Sequence, residues 1–417
     1  ARTPIPPAPI PRNGLPGSAY AILYLLLILA AATMAFCVGG LLSDAPWWVS
    51  RVATVLSIVS PILLIVHMWQ INRAAKGLIP LIILLSVLFV YLTQSLIIPA
   101  LLISLLYVVG EGSMLIAVVN RKQAQWLPLI PILAFAVTIA VCRDPRVALV
   151  SLIPFPAMLA LGFGTRSSAA SDKGLTRVGV ICATTFALGL SVVAVAAAFF
   201  YHWHGSLSPA TLNEALEGLR ATLISTITSM ELPIEATEEM AEFFSLENAT
   251  YLVNSAINIL PGTVVMVILM FAAAAQLMQH AALQTFLPKD TLSDRVRIFT
   301  MSIVSCVVFA VAYLVAIFSG NEASTLAGTV AQNIYLILLP GLSLAGLLRI
   351  ASSIVRRGAG GGMGCMFFLI LIIPCLLLVT PVVLALTEVI GNIASAITSR
   401  TRSSGDGGSG QTPPSAS

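Results

Sequence analysis

Charge is scarce in this chain. Asp, Glu, Lys and Arg make up only 9% of its 417 residues, where a soluble domain carries about 25%. That shortage excludes a water-soluble globular fold, because too little polar surface remains to cover one. Recognisable catalytic patterns are missing too. The sequence holds no H-E-x-x-H, no G-x-S-x-G, no C-x-x-C and no paired intramembrane aspartates, so nothing marks it as an enzyme. The six cysteines, Cys37, Cys142, Cys182, Cys306, Cys365 and Cys375, all lie in or beside apolar runs. They read as small packing residues rather than a disulfide framework or a metal site. The glycine run Gly358 to Gly364 ends in no Gly-Lys-Ser/Thr and follows an apolar run of helical length, which predicts a cytoplasmic connection and not a phosphate loop. Neither a cofactor nor a metal is expected.

What is abundant is apolar length. Hydrophobic residues make up 58% of the chain and the mean hydropathy is +0.99. A bilayer core about 30 Å thick needs roughly 20 such residues per helix, and runs of that kind recur from Ala19 to Ile390. Continuous runs of this length predict helices, since a membrane barrel would show alternating segments of about ten residues. The expected fold is all-α: a polytopic bundle of eleven transmembrane helices near residues 20–42, 52–71, 77–95, 97–119, 127–142, 146–164, 177–201, 256–281, 298–319, 330–351 and 366–387. The first run, Tyr20 to Leu42, exceeds a signal-peptide core and is expected to be retained.

Orientation follows from the basic residues. With the amino terminus inside, the cytoplasmic segments collect fifteen Lys and Arg, among them Arg73, Lys76, Arg121, Lys122, Lys289 and Arg356, against four outside: Arg51, Arg143, Arg146 and Arg220. This is the asymmetry of the positive-inside rule, and it accounts for the net charge of +4 without nucleic acid as a partner. The weakest boundary lies between the third and fourth spans, where Thr93, Gln94 and Ser95 are the only polar break from Leu78 to Gly110. Merging those spans would invert every later loop, so the charge pattern predicts a tight outer hairpin from Gln94 to Pro99.

Five regions are expected. Residues 1–18, rich in proline, and 401–417, rich in Gly, Ser and Pro, have little to bury and read as disordered tails. Between them stand a seven-helix membrane region (19–201), an acidic extracytoplasmic segment (202–255) and a four-helix membrane region (256–400). In the acidic segment, Ser208 followed by Pro209 is a helix start, and Leu212, Leu216, Leu219, Leu223 and Ile227 recur at helical spacing. A second short helix is expected from Glu235 to Phe244, and together the two would form a lid or cap.

Glu111, in Gly110-Glu111-Gly112, is the most informative single residue. Ten residues separate it from Arg121, about 15 Å of helix at 1.5 Å per residue, which places a carboxylate near mid-bilayer. A charge there costs a few kcal/mol or more and faces a cavity, pairs with a partner or becomes protonated. Proton coupling or ligand contact therefore stands beside a buried helix–helix hydrogen bond as its two readings. His67, followed by Gln70 and Asn72, and His280, near Gln276 and Gln279, put polar groups toward the cytoplasmic ends of two helices. They are candidates for a shared vestibule, or ordinary interfacial polarity. Asn254 and Asn258, one turn apart at the outer start of the eighth span, either bind solute or satisfy neighbouring backbone. His202-Trp203-His204 beside the glutamates reads as an interfacial belt rather than a metal site.

Three stretches carry a family resemblance: Ser60-Pro61 to Gly77 (SPILLIVHMWQINRAAKG), Leu159 to Arg177 (LALGFGTRSSAASDKGLTR) and Asn333 to Arg357 (NIYLILLPGLSLAGLLRIASSIVRR). In these and in the order of its features the chain resembles the YybS-like family of bacterial membrane proteins, which implies a multi-pass protein of the bacterial cytoplasmic membrane. Its amino-terminal part also looks like the substrate-binding subunits of energy-coupling-factor transporters. Those subunits meet a membrane-protein partner through small residues on their first helix, a spacing that Ala31 and Ala35 share; they have six helices, fewer than expected here. The leading expectation is a non-catalytic membrane protein, in contact with the lipid bilayer, that binds or moves a small molecule in a cavity between its seven-helix and four-helix parts. The alternative is a scaffold or regulatory protein that organises membrane-protein partners.

Overall fold

The computed structural model describes residues 17–42, 47–71, 73–118, 129–143, 145–170, 176–229, 245–286, 301–319, 326–356 and 380–405. Thirteen α-helices and no strand are found among them: α1 (Gly17–Leu42), α2 (Trp47–Gln70), α3 (Arg73–Thr93), α4 (Ile97–Val118), α5 (Leu129–Cys142), α6 (Pro145–Val150), α7 (Pro154–Ala170), α8 (Arg177–His204), α9 (Pro209–Thr228), α10 (Leu246–Phe286), α11 (Ile303–Phe318), α12 (Leu326–Arg356) and α13 (Thr380–Gly405).

Seven helical stretches are long and apolar enough to cross a membrane: Ala19–Leu41, Trp47–Gln70, Ile97–Val118, Ala148–Ser167, Arg177–His204, Leu246–Thr285 and Leu326–Ser343. Shorter apolar helices, Ile82–Thr93, Ile132–Val141 and Ile303–Phe318, stand at three of the other expected positions; most of the eleventh, 366–387, lies outside the described residues, and the short apolar helix Val382–Ala394 overlaps its end. Large apolar side chains point outward on these helices. Val55, Ile58, Val59 and Ile62 of α2, Phe186, Leu190 and Val193 of α8, and Val304, Val307 and Val311 of α11 are all exposed. Such a surface is stable only against hydrocarbon.

Helix ends follow local chemistry. Gln94 adopts φ 53 and its N–H bonds the Val90 carbonyl at 2.8 Å; this left-handed residue stops α3 at the polar break expected from the sequence. Thr176 caps α8 by accepting from the Gly179 N–H, and Gly205, at φ 70, ends it. Ser208 accepts from the Thr211 N–H, so α9 starts where Ser208-Pro209 predicts. The expected span 146–164 is interrupted. Ser151, Leu152 and Ile153 make bonds to the third residue back, because Pro154 lacks a donor and disfavours helical backbone at the residue before it.

The chain divides into two compact units, Ala1–Leu219 with Val267–Ile298, and Arg220–Met266 with Phe299–Ser417. The carboxy-terminal half of α10 groups with the first unit, where the expected division places it with the four later spans. The reason lies in its side chains. Gln276 accepts from Arg177 Nε at 2.8 Å and Gln279 from the Thr165 hydroxyl at 2.8 Å, while Ala272, Ala275, Met278, Ala281 and Ala282 are buried. Two other boundaries shift. Residues 246–255, expected in the acidic segment, form the first turns of α10, and α13 runs on through the expected tail to Gly405. The helix expected from Glu235 to Phe244, most of the tails and the glycine run lie outside the described residues.

In the first unit α4 is the central helix. It packs against α1, α2, α3 and α7, and all of its residues from Ser104 to Val118 except Leu105 are buried. Glycines permit that crowding. A Cβ on Gly162 would lie 2.6 Å from Ile116 and 3.0 Å from the Ser113 carbonyl, and one on Gly112 would strike the Met158 sulfur, so α4 and α7 meet at a crossing that only small residues allow. Ala31 and Ala35, the small pair on α1, are 1% and 0% exposed, already covered by the chain's own helices.

In the second unit α11, α12 and α13 pack on one another around Cys306, Phe309, Leu342, Ala385 and Val389. At the α12–α13 crossing a Cβ on Gly346 would overlap the Leu384 carbonyl. Asn333 of α12 joins the amino-terminal half of α10: its Nδ2 donates to the Asn258 carbonyl at 2.8 Å and its Oδ1 accepts from the Gly262 N–H. The amide takes the place of the helical Gly262-to-Asn258 bond, one residue past Pro261.

Candidate functional site

A buried polar group without a hydrogen bond is costly enough that each one calls for an explanation. In the first unit such groups converge on α2 and α4. On α4, Ser104 Oγ, Tyr107 OH and both carboxylate oxygens of Glu111 are buried with no hydrogen-bond partner among the described residues. On α2, Ser60 Oγ and His67 Nε2 are in the same condition. Spacings of three and four residues put Ser104, Tyr107 and Glu111 on one stripe of α4, and a spacing of seven puts Ser60 and His67 on one stripe of α2. The two helices pack together. His67 and Tyr107 join the stripes, their rings meeting edge to face with centroids 5.9 Å apart.

The result is a polar track inside an apolar bundle. Ser60, Ser104, Tyr107 and Glu111 are each 0% exposed, and His67 is half-buried. At 1.5 Å per residue, Ser104 to Glu111 and Ser60 to His67 each span about 10 Å. On either side of Glu111 the helix is closely packed against apolar side chains: a Cβ on Gly110 would meet Met278 of α10, and one on Gly112 would meet Met158 of α7 and Leu27 of α1. Serine, tyrosine, histidine and glutamate together offer acceptors and rotatable hydroxyls, a set suited to holding a small polar molecule out of water.

Of the five residues expected at a site, the structure brings His67 and Glu111 together through Tyr107. His280 is 7% exposed and its Nε2 lies 2.9 Å from Gln284 Nε2; its neighbours Gln276 and Gln279 bond to Arg177 and Thr165. Asn254 and Asn258 are half-buried in the second unit, and it is the main-chain carbonyl of Asn258 that is used, by Asn333. His202 and His204 are exposed, with His204 stacked on Phe200 at 4.4 Å; among the described residues no three metal-ligating side chains gather.

Sequence reasoning missed Ser60, Ser104 and Tyr107. For Ser104 and Tyr107 the signal was the spacing Ser104-x-x-Tyr107-x-x-x-Glu111, legible once Glu111 is taken as the end of a stripe; Ser60 had no such signal. It also missed Glu388, a second buried carboxylate at 4% exposure, which accepts from Asn392 Nδ2 at 3.0 Å.

Helix lengths, the outward-facing apolar surface and the buried polar interior define the class: a helical, multi-pass membrane protein. Comparison with protein-family models, curated proteins and solved structures finds no match.

Proposed function

We propose that this is a non-catalytic protein of the bacterial cytoplasmic membrane that binds or moves a small solute along the α2–α4 track. One observation carries the reading: Glu111 and four further buried polar side chains share two facing stripes and leave their hydrogen-bonding capacity unused. A folded chain that keeps such groups without partners sacrifices stability, and a ligand that satisfies them explains why they are there. In this reading the chain has eleven spans with a cytoplasmic amino terminus, supported by seven helices long and apolar enough to cross a membrane, by shorter apolar helices at three more expected positions, and by the surplus of basic residues on one side. Membership of the YybS-like family belongs to the same proposal.

The test is mass spectrometry of small molecules retained by the gently purified chain, comparing wild type with Glu111→Gln. Wild type is expected to carry a molecule near one per chain, and the variant much less. A wild-type protein that carries nothing, or a well-folded variant that carries the same molecule in the same amount, overturns the reading.

A further inference from the structure

Resting on the solute-binding reading of the α2–α4 track, we propose that its ligand is an organic monocation, a protonated amine with a hydroxyl or similar polar group about 10 Å from the charge. The sign comes from inventory. Glu111 is the only acidic side chain on α2 and α4, and α4 has no basic residue at all. Three basic side chains described on α2, α7 and α8 are engaged elsewhere or face outward: Arg51 of α2 sits over the Trp47 ring at 4.7 Å, Arg166 of α7 is exposed, and Arg177 of α8 donates to Gln276. The α1 helix has no charged residue. An ammonium group supplies the missing charge and three donors, which match two carboxylate oxygens and the Tyr107 hydroxyl one turn away.

The shape comes from spacing. Metal–oxygen bonds are about 2.0–2.6 Å long, so one inorganic ion at Glu111 leaves Ser104, about 10 Å along the helix, without a partner. An elongated organic cation reaches both ends. Its charged head lies at Glu111, its body passes the His67–Tyr107 pair, and its second polar group meets the Ser104 hydroxyl.

Purified full-length protein in lipid nanodiscs tests this by thermal unfolding against four probes: aminohexanol, ethanolamine, hexanediol, and sodium or potassium chloride. Aminohexanol is expected to bind about tenfold or more tightly than hexanediol, the worth of one charge-assisted contact, and about fivefold more tightly than ethanolamine, which keeps the charge but lacks the distal hydroxyl. Glu111→Gln should remove the advantage over hexanediol, and Ser104→Ala should weaken aminohexanol while leaving ethanolamine unchanged. Should Glu111→Gln not fold, Glu111→Asp serves, since it retracts the charge and should weaken both amines without affecting hexanediol. Equal binding of hexanediol and aminohexanol, unchanged in Glu111→Gln, overturns the cation and leaves the solute reading standing. Stabilisation by sodium or potassium equal to that by aminohexanol assigns the track to an inorganic ion and also overturns it. If no probe binds and no molecule is retained on purification, both proposals fall.

Discussion

Asn333 offers the sharpest test of how the second unit is held together. Its amide bridges one step of α10, donating to the Asn258 carbonyl at 2.8 Å while accepting from the Gly262 N–H. Asn333→Ala removes both bonds. Interhelical hydrogen bonds in membrane proteins are worth about 0.6–1.7 kcal/mol each, so the expected loss is about 1–3 kcal/mol. Gly262→Ala attacks the same contact from the other side, because its Cβ would lie 2.7 Å from Asn333 Oδ1, 2.9 Å from its Cα and 3.0 Å from its carbonyl oxygen. Two of those atoms are backbone and cannot swing aside, which makes this overpacking worth about 1–3 kcal/mol. Once either change has parted the helices, the second has less to destroy. The double variant should therefore cost less than the sum, with a coupling of at least about 0.5 kcal/mol. Denaturant unfolding in mixed micelles, followed by tyrosine fluorescence or circular dichroism, measures all three. An Asn333→Ala protein within about 0.5 kcal/mol of wild type, or strict additivity in the cycle, would refute the reasoning.

Gly346→Ala should be more severe than Gly262→Ala, since its Cβ would overlap the Leu384 carbonyl; a midpoint equal to wild type would place the α12–α13 crossing elsewhere. Single cysteines introduced in α9, at Ser206 or near Lys289 should divide by side, the first two labelled by impermeant reagents on intact cells and the last not, and the opposite pattern would invert the proposed topology. Replacing His202 and His204 together by alanine should leave metal content and unfolding midpoint unchanged, because both are exposed; loss of stoichiometric zinc would contradict the interfacial reading.

The positions of the helices were legible in the sequence because lipid selects on composition alone, and a run such as Ile97 to Val118 has no alternative fate. Even the α3–α4 hairpin could be read, since Gln94 is one of few polar residues in a long apolar stretch. Helix partnership was not legible. Residues 246–255 are mixed in polarity and suggest a loop, yet they extend α10, and nothing local reveals that Gln276 and Gln279 answer to Arg177 and Thr165 about a hundred residues away. The site divides the same way. Glu111 stood out as a charge in hydrocarbon, whereas Ser60, Ser104 and Tyr107 are ordinary inside membrane helices until α2 is known to lie against α4.

The burial of α4 has a consequence for how the protein is made. Synthesis delivers α4 to the bilayer before α7 exists, and well before the carboxy-terminal half of α10, so Gly110-Glu111-Gly112 must wait for Met158 and then Met278 to close over it. Until the carboxy-terminal half of α10 has emerged, the stretch around Glu111 has lipid or water on the side that Met278 later occupies. A ribosome that stops before α10 leaves a nascent chain whose central helix is incompletely enclosed, and quality-control proteases that recognise polar groups in lipid would have Glu111 to find.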